Sequence, residues 1–206
     1  MPPLPDSNGV FLNIPYDVEF SSLYIAYIVG LCQLDMVPHI ASEIPGGKRR
    51  LDRIFELIRS CRYSIHDLSR VEVSAAPSAA PRFNMPLELG MTITWEMLNP
   101  DQHTWFVWES ESYRLQRSAS DLNGTDANIH DGKPEGVLRE LCNALRRDRA
   151  PSVPQMQMVY GLVHSALNSL LIRNATRNPY SRSVFLDLCS LSRNLGAFYP
   201  PARRAV

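Results

Sequence analysis

The sequence predicts an α/β protein, flavodoxin-like (Rossmann-like), in which a mostly parallel sheet is flanked by helices and followed by a helical C-terminal appendage. Three observations carry this. Over residues 9–149, short apolar runs rich in strand formers alternate with segments whose apolar residues recur at helical spacing. Parallel neighbours need crossover connections, almost always right-handed, and a helix between successive strands supplies one. After "APSVP" (150–154) the alternation stops and only helical patterning follows, so residues 150–206 form the appendage.

Each element has its own signal. "GVFLNI" (9–14) is a buried strand that ends at Pro15. After the loop "PYD", Phe20, Leu23, Tyr24, Tyr27, Ile28 and Leu31 mark a helix beginning near Glu19, and "MVPHIAS" (36–42) is a weaker strand. The basic turn "IPGGKRR" leads to a helix over "LDRIFELIRSC" (51–61) and a third strand over "RYSIHDL" (62–68). "VSAAPSAAP" (73–81) is a loop too short for more than local flexibility. A helix is expected from Pro86, whose fixed φ and missing N–H suit a first helical position. "TWFVWE" (104–109) is an aromatic strand, and "PEGVLRELCNALRR" (134–147) an amphipathic helix. "QMQMVYGLVHSALNSLLIRNA" (155–175) and "SRSVFLDLCSLSRNLGAF" (181–198) are the helices of the appendage.

Composition narrows the function classes. With 206 residues, 45% hydrophobic and 20% charged, the chain can build one sizeable core. Lys plus Arg and Asp plus Glu both number 21, so no global field recruits nucleic acid or an anionic membrane. Cys32, Cys61, Cys142 and Cys189 lie far apart in apolar segments, as buried thiols in a reducing compartment would. His39, His66, His103, His130 and His164 show no ligand spacing, and no metal site is expected. "MPPLPDSNG" lacks the pattern of a secretory signal and "LYIAYIVGLC" is too short to span a bilayer, so a cytoplasmic protein is expected. The apolar faces of the appendage need a cover, either the α/β domain or a second copy, and a homodimer or higher homo-oligomer is the expected assembly.

In an open α/β sheet, ligands bind beyond the carboxyl ends of the strands. The residues just past the strands are Tyr16 and Asp17, then His66, Asp67 and Ser69, then Glu109. His66 alternates with Ile65 along a strand and reads as packed; Trp105 and Trp108 read as core. Glu88, in "RFNMPLELGM" (82–91), is expected in the first turn of its helix and directed to the same edge. There it has two readings. It complements the helix dipole, or it is a carboxylate facing a sugar, where it stabilises or traps the positive charge that builds on the anomeric carbon as an N-glycosidic bond breaks. A helix N-terminus would lower its pKa, as a nucleophile needs. Asp67 is a ribose ligand, an orienting group for Glu88 or a loop former. Arg50, with Lys48 and Arg49, is either a phosphate anchor or a solvated helix start, and Gly46 and Gly47 have neither phosphate-loop spacing. Asp121 and Asn123 either close over a base or cap a turn before the last strand.

The motifs "SIHDLSR" (64–70) and "NMPLELG" (84–90) resemble the strand ending in "ADLTGRN" and the following "PNVFYELG" of the nucleoside 2-deoxyribosyltransferase-like and TIR-like nucleotide-processing proteins. Upstream, "VFLNIPYD" is similar to their first strand and substrate loop, and "RLDRIFELI" to their second helix. Downstream, "SDLNGTDANIHDG" and "PEGVLRELCNAL" resemble their "FDLRGYRVIxY" and closing helix. The resemblance covers residues 9 to about 147 and leaves the tail outside. It implies a protein acting on NAD or a related nucleotide or nucleoside, as substrate or ligand and with no other cofactor, by N-glycosidic cleavage or transfer. Bacterial defence against phage is a plausible setting. It carries the family's glutamate onto Glu88, its post-strand aspartate onto Asp67 and its asparagine onto Asn84. The chain departs from the pattern where "SRVEVSAAPSAAPRF" (69–83) replaces a short link, and this insertion is expected to form a lid. The alternative is a nucleotide-sensing or assembly module that uses the same cleft without turnover.

Overall fold

A computed structural model describes residues 5–43, 49–71, 81–145 and 150–198. Five parallel strands form one sheet in the order β2-β1-β3-β4-β5, an α/β flavodoxin-like arrangement. Its strands are β1 (Asp6–Asn13), β2 (Val37–His39), β3 (Cys61–Asp67), β4 (Thr104–Glu109) and β5 (Asn128–Ile129). The helices are α1 (Ser21–Gln33), α2 (Arg50–Ser60), α3 (Asn84–Leu98), the short α4 (Arg114–Ser118), α5 (Pro134–Leu145), α6 (Val153–Arg173) and α7 (Arg182–Phe198).

The chain divides into two compact units, Met1–Pro15 with His39–Gly132, and Tyr16–Pro38 with Lys133–Val206. In the first, β1 pairs with β3 so that Asn13 stands opposite His66, and β3 pairs with β4 so that Asp67 stands opposite Trp108. Its apolar core has two parts. Phe11, Ile54, Leu57, Ile58 and Cys61 pack together beneath Met91 and Trp95; Leu68, Met85, Leu89, Val107 and Leu115 form the other cluster. Trp108 is fully buried as expected, while Trp105 is half-buried at the edge of the second cluster.

The second unit is helical. α1 is apolar on every side, and every residue from Leu23 to Cys32 is buried, which is the pattern of a helix surrounded by others. α5, α6 and α7 pack on it. Met156, Val159 and Val163 of α6 and Val184, Phe185 and Leu188 of α7 are therefore covered within this unit by neighbouring helices. All four cysteines are buried thiols outside any disulfide.

One element starts earlier than its proline suggested. Phe83 caps α3 and Asn84 is its first residue, so Pro86 sits third. A proline fits anywhere in the first turn because that turn's N–H groups have no intrahelical acceptor. Glu88 is consequently in the second turn, and α3 has no acid in its first. Gly46, Gly47 and Lys48, and residues 72–80 of the expected lid, lie outside the described residues. No helix among the described residues is long and apolar enough to cross a membrane.

Candidate functional site

The strand order reverses between β1 and β3, because the chain leaves β1 first for β2 on one side and then for β3 on the other. Such a reversal opens a crevice at the carboxyl edge, since the two following connections diverge there. Asn13 ends β1 and Asp67 ends β3 at that edge, and α2 and α3 start from it.

Glu88 is 4% exposed. Burial pushes its carboxyl up to about 7, against the opposing pull of the Arg50 guanidinium and a hydrogen bond from the Asn84 side chain. The direction is opposite to the one expected from a helix N-terminus. Two facts explain the reversal: the residue lies one turn too deep for the terminal N–H groups, and the solvent it has lost outweighs the cation it has gained. Asn84 precedes Glu88 by four residues and so shares its helix face. Arg50, the first residue of α2, is exposed and brings positive charge to the same carboxylate. Three of the expected site residues, Glu88, Asn84 and Arg50, thus come together.

Asp67 belongs to a second group. It is fully buried, and Ser69 donates to its Oδ1 from both the backbone N–H (3.0 Å) and Oγ (2.6 Å). Its Oδ2 lies 3.2 Å from Nε2 of His130, which is also fully buried. Asp131 and Gly132 take left-handed conformations (φ 55° and 64°), which turns the chain so that the Gly132 N–H donates to His130 Nδ1 at 3.0 Å. Nδ1 is therefore the acceptor nitrogen, which leaves a neutral ring's hydrogen on Nε2, beside Asp67 but without hydrogen-bond geometry to it. Glu109, at the end of β4, is 1% exposed, with the Ser110 backbone N–H and the Arg114 guanidinium beside its carboxyl. Burial pushes its carboxyl up to about 7, helped by the negative charge of Asp67 and opposed mainly by Arg114, whose Nη1 is 3.5 Å from Oε2. Arg114 also donates to the Ser69 carbonyl, tying the loop after β3 to the end of β4.

The remaining expected residues have other contacts. Tyr16 and Asp17 fall in the helical unit, where the Tyr16 ring rests 5.0 Å from that of Tyr180 and Asp17 caps a turn by accepting from the Phe20 N–H at 3.0 Å. Asp121 and Asn123 are exposed in and just after a single 3-10 turn whose N-cap, Ala119, makes no side-chain hydrogen bond. His130, Glu109 and Arg114 carried no assigned role in the sequence. Only Glu109 gave a signal, as an acid closing an otherwise aromatic strand. Among the described residues no cluster of His, Cys, Asp and Glu could hold a metal ion.

Compared with known proteins, the chain matches no protein-family model and no curated sequence. The resemblance to nucleotide-processing proteins therefore rests on the motifs quoted above, beside the flavodoxin-like topology.

Proposed function

We propose that this chain acts on a nucleoside or nucleotide, with NAD and its relatives as the leading class, and breaks or transfers the N-glycosidic bond. The observation that carries this reading is the meeting of Glu88, Asn84 and Arg50 on helices that follow β2 and β3, whose carboxyl edge is where an α/β sheet of this order binds ligands. A carboxylate with little solvent and a pKa near neutrality is costly to ionise alone, and its charge is best satisfied by a cation developing in front of it. Ionised Glu88 would face the anomeric carbon as the base departs, Asn84 would hold the carboxylate rotamer, and the exposed Arg50 would take an anionic part of the substrate. Asp67 serves as the helper through the loop it organises with Ser69.

The test is product analysis after incubation with NAD, NADP and a panel of nucleosides, comparing the natural protein with Glu88→Gln. Release of free base by the natural protein alone supports the reading. Ligand binding without turnover in both proteins would replace catalysis with sensing, and absence of both binding and turnover in two folded proteins would remove the nucleotide reading.

A further inference from the structure

A buried row of polar side chains runs along β3 toward α3. Nδ1 of His103 lies 2.9 Å from the Cys61 carbonyl oxygen, and its Nε2 lies 2.9 Å from Ser64 Oγ. Ser64 Oγ is 3.0 Å from Nε2 of His66. Nδ1 of His66 is 2.9 Å from Nδ2 of Asn13, and that same Nδ2 donates to the Met85 carbonyl at 3.0 Å. All four side chains are buried, with His66 and Ser64 fully so.

Both ends of this row are backbone carbonyls, which can only accept. His103 must therefore carry its hydrogen on Nδ1, and Nε2 accepts the Ser64 hydroxyl. At the other end Asn13 gives one N–H to Met85 and the second to His66 Nδ1, so His66 carries its hydrogen on Nε2 and gives it to Ser64. Five hydrogen bonds use the five available hydrogens once each, with both imidazoles neutral and in opposite tautomers. Burial favours the same state: it pushes His66 down to about 3, helped by His103, and lowers His103.

We propose that this row is a positioning network for the candidate site: its fixed polarity lets Asn13 hold the first turn of α3, and through that turn it sets Asn84 and the burial of Glu88. Calling Glu88 the reacting carboxylate rests on the function proposed above; the coupling of the network to Glu88 does not. Met85 is the second residue of α3, between Asn84 and the turn that bears Glu88. A change at Asn13 thus reaches both through a single backbone carbonyl. A proton added to either ring would set two donors face to face, or a donor against a bonded hydrogen. Among the described residues, the ionisable or charged groups acting on these rings are His103 on His66 and Arg62 on His103, neither of which favours the added charge.

The test uses the full chain labelled with ¹⁵N and ¹³C. Ring nitrogen shifts at pH 7 are expected to report neutral His66 protonated on Nε2 and neutral His103 protonated on Nδ1; a shared tautomer or a charged ring overturns the assignment. The Glu88 carboxyl is then titrated in the natural protein, in Asn13→Leu, which has nearly the same size, adds no charge and cannot donate to Met85, and in Ser64→Ala, which interrupts the row without adding bulk. In both variants the midpoint is expected to fall from about 7 toward the ordinary 4.5, with amide exchange over the first turn of α3 rising about tenfold or more. An unchanged Glu88 titration in a folded variant overturns the positioning role, since a purely structural loss would lower global stability and leave that midpoint alone. None of these readouts needs turnover, so an inactive protein with a coupled Glu88 would count against the glycosidic reading and leave the network standing.

Discussion

Nε2 of His130 lies 3.2 Å from Oδ2 of Asp67, and both side chains are fully buried. The contact joins the ends of two strands that are not neighbours, β3 and β5, past β4, which lies between them. Asp67→Ala would remove the acceptor of two Ser69 hydrogens and leave His130 facing the buried Glu109 alone. A loss of about 1–3 kcal/mol of unfolding free energy is expected, because donors of Ser69 are left without their acceptor. Urea denaturation checks it, and a loss below about 1 kcal/mol would show that the contact contributes little. Asp67→Asn keeps one accepting oxygen for Ser69 and is expected to fall between the two.

Glu88 sets the pH dependence of the proposed reaction. Its carboxyl is raised to about 7, so the ionised form that would face the anomeric carbon grows in as pH rises through that value. Activity limited by this group is expected to climb about tenfold from pH 6 to pH 8 and then level. A rate that falls over the same interval would make Glu88 a proton donor instead. Glu88→Gln is expected to lower the rate by about a hundredfold or more, with substrate binding nearly intact.

How much of this was legible in the sequence differs between the fold and the site. The strand "TWFVWE" coincides with β4 because its aromatic and β-branched residues have no helical period, and α2 and α5 follow their amphipathic patterns closely. The start of α3 was less legible. Pro86 marked the right turn but the wrong residue, since a proline is compatible with several first-turn positions, and the shift of two residues moved Glu88 out of reach of the helix terminus. Asn84 and Glu88 were both named through the resemblance, but with the helix expected from Pro86 the asparagine lay outside it, and the partner Arg50 comes from another helix. The row from Asn13 to His103 has no local signature at all. Ser64 and His66 show only as polar residues alternating into an apolar strand, while the partners that set the direction of their hydrogen bonds, His103 and Asn13, lie 39 and 53 residues away in sequence.

Gly30 is a packing glycine in the helical unit. A Cβ there would overlap Leu141 Cδ1 and stand 3.1 Å from Leu138 Cδ2, both on α5. Those are ends of flexible side chains, yet each belongs to a fully buried residue with little room to turn. Gly30→Ala is expected to be nearly neutral, because the helix-propensity gain of about 1 kcal/mol offsets the crowding. Gly30→Val adds volume and loses that gain, and should destabilise by about 1–3 kcal/mol. Thermal unfolding distinguishes the two; equal melting temperatures would mean that α1 and α5 can separate at no cost.

Glu109 gives the clearest stability test, because burial raises its folded-state pKa in spite of Arg114 and the Ser110 N–H beside it. The folded protein holds this proton more tightly than the unfolded chain, whose carboxyl titrates near 4.5. Its favourable contribution is therefore fully present below pH 4.5 and is lost as pH rises through about 7. Glu109→Gln keeps the shape of the protonated acid and cannot ionise. The variant should match the natural protein at pH 4.5 and exceed its stability at pH 8 by about 1–3 kcal/mol. Arg114 does not reverse the sign, since its attraction is already included in the raised value and it retains the Ser69 carbonyl as an acceptor. Denaturant unfolding at the two pH values is the measurement. A variant less stable than the natural protein at pH 8 would mean that the Glu109–Arg114 pair stabilises the fold by more than the burial of its charge costs.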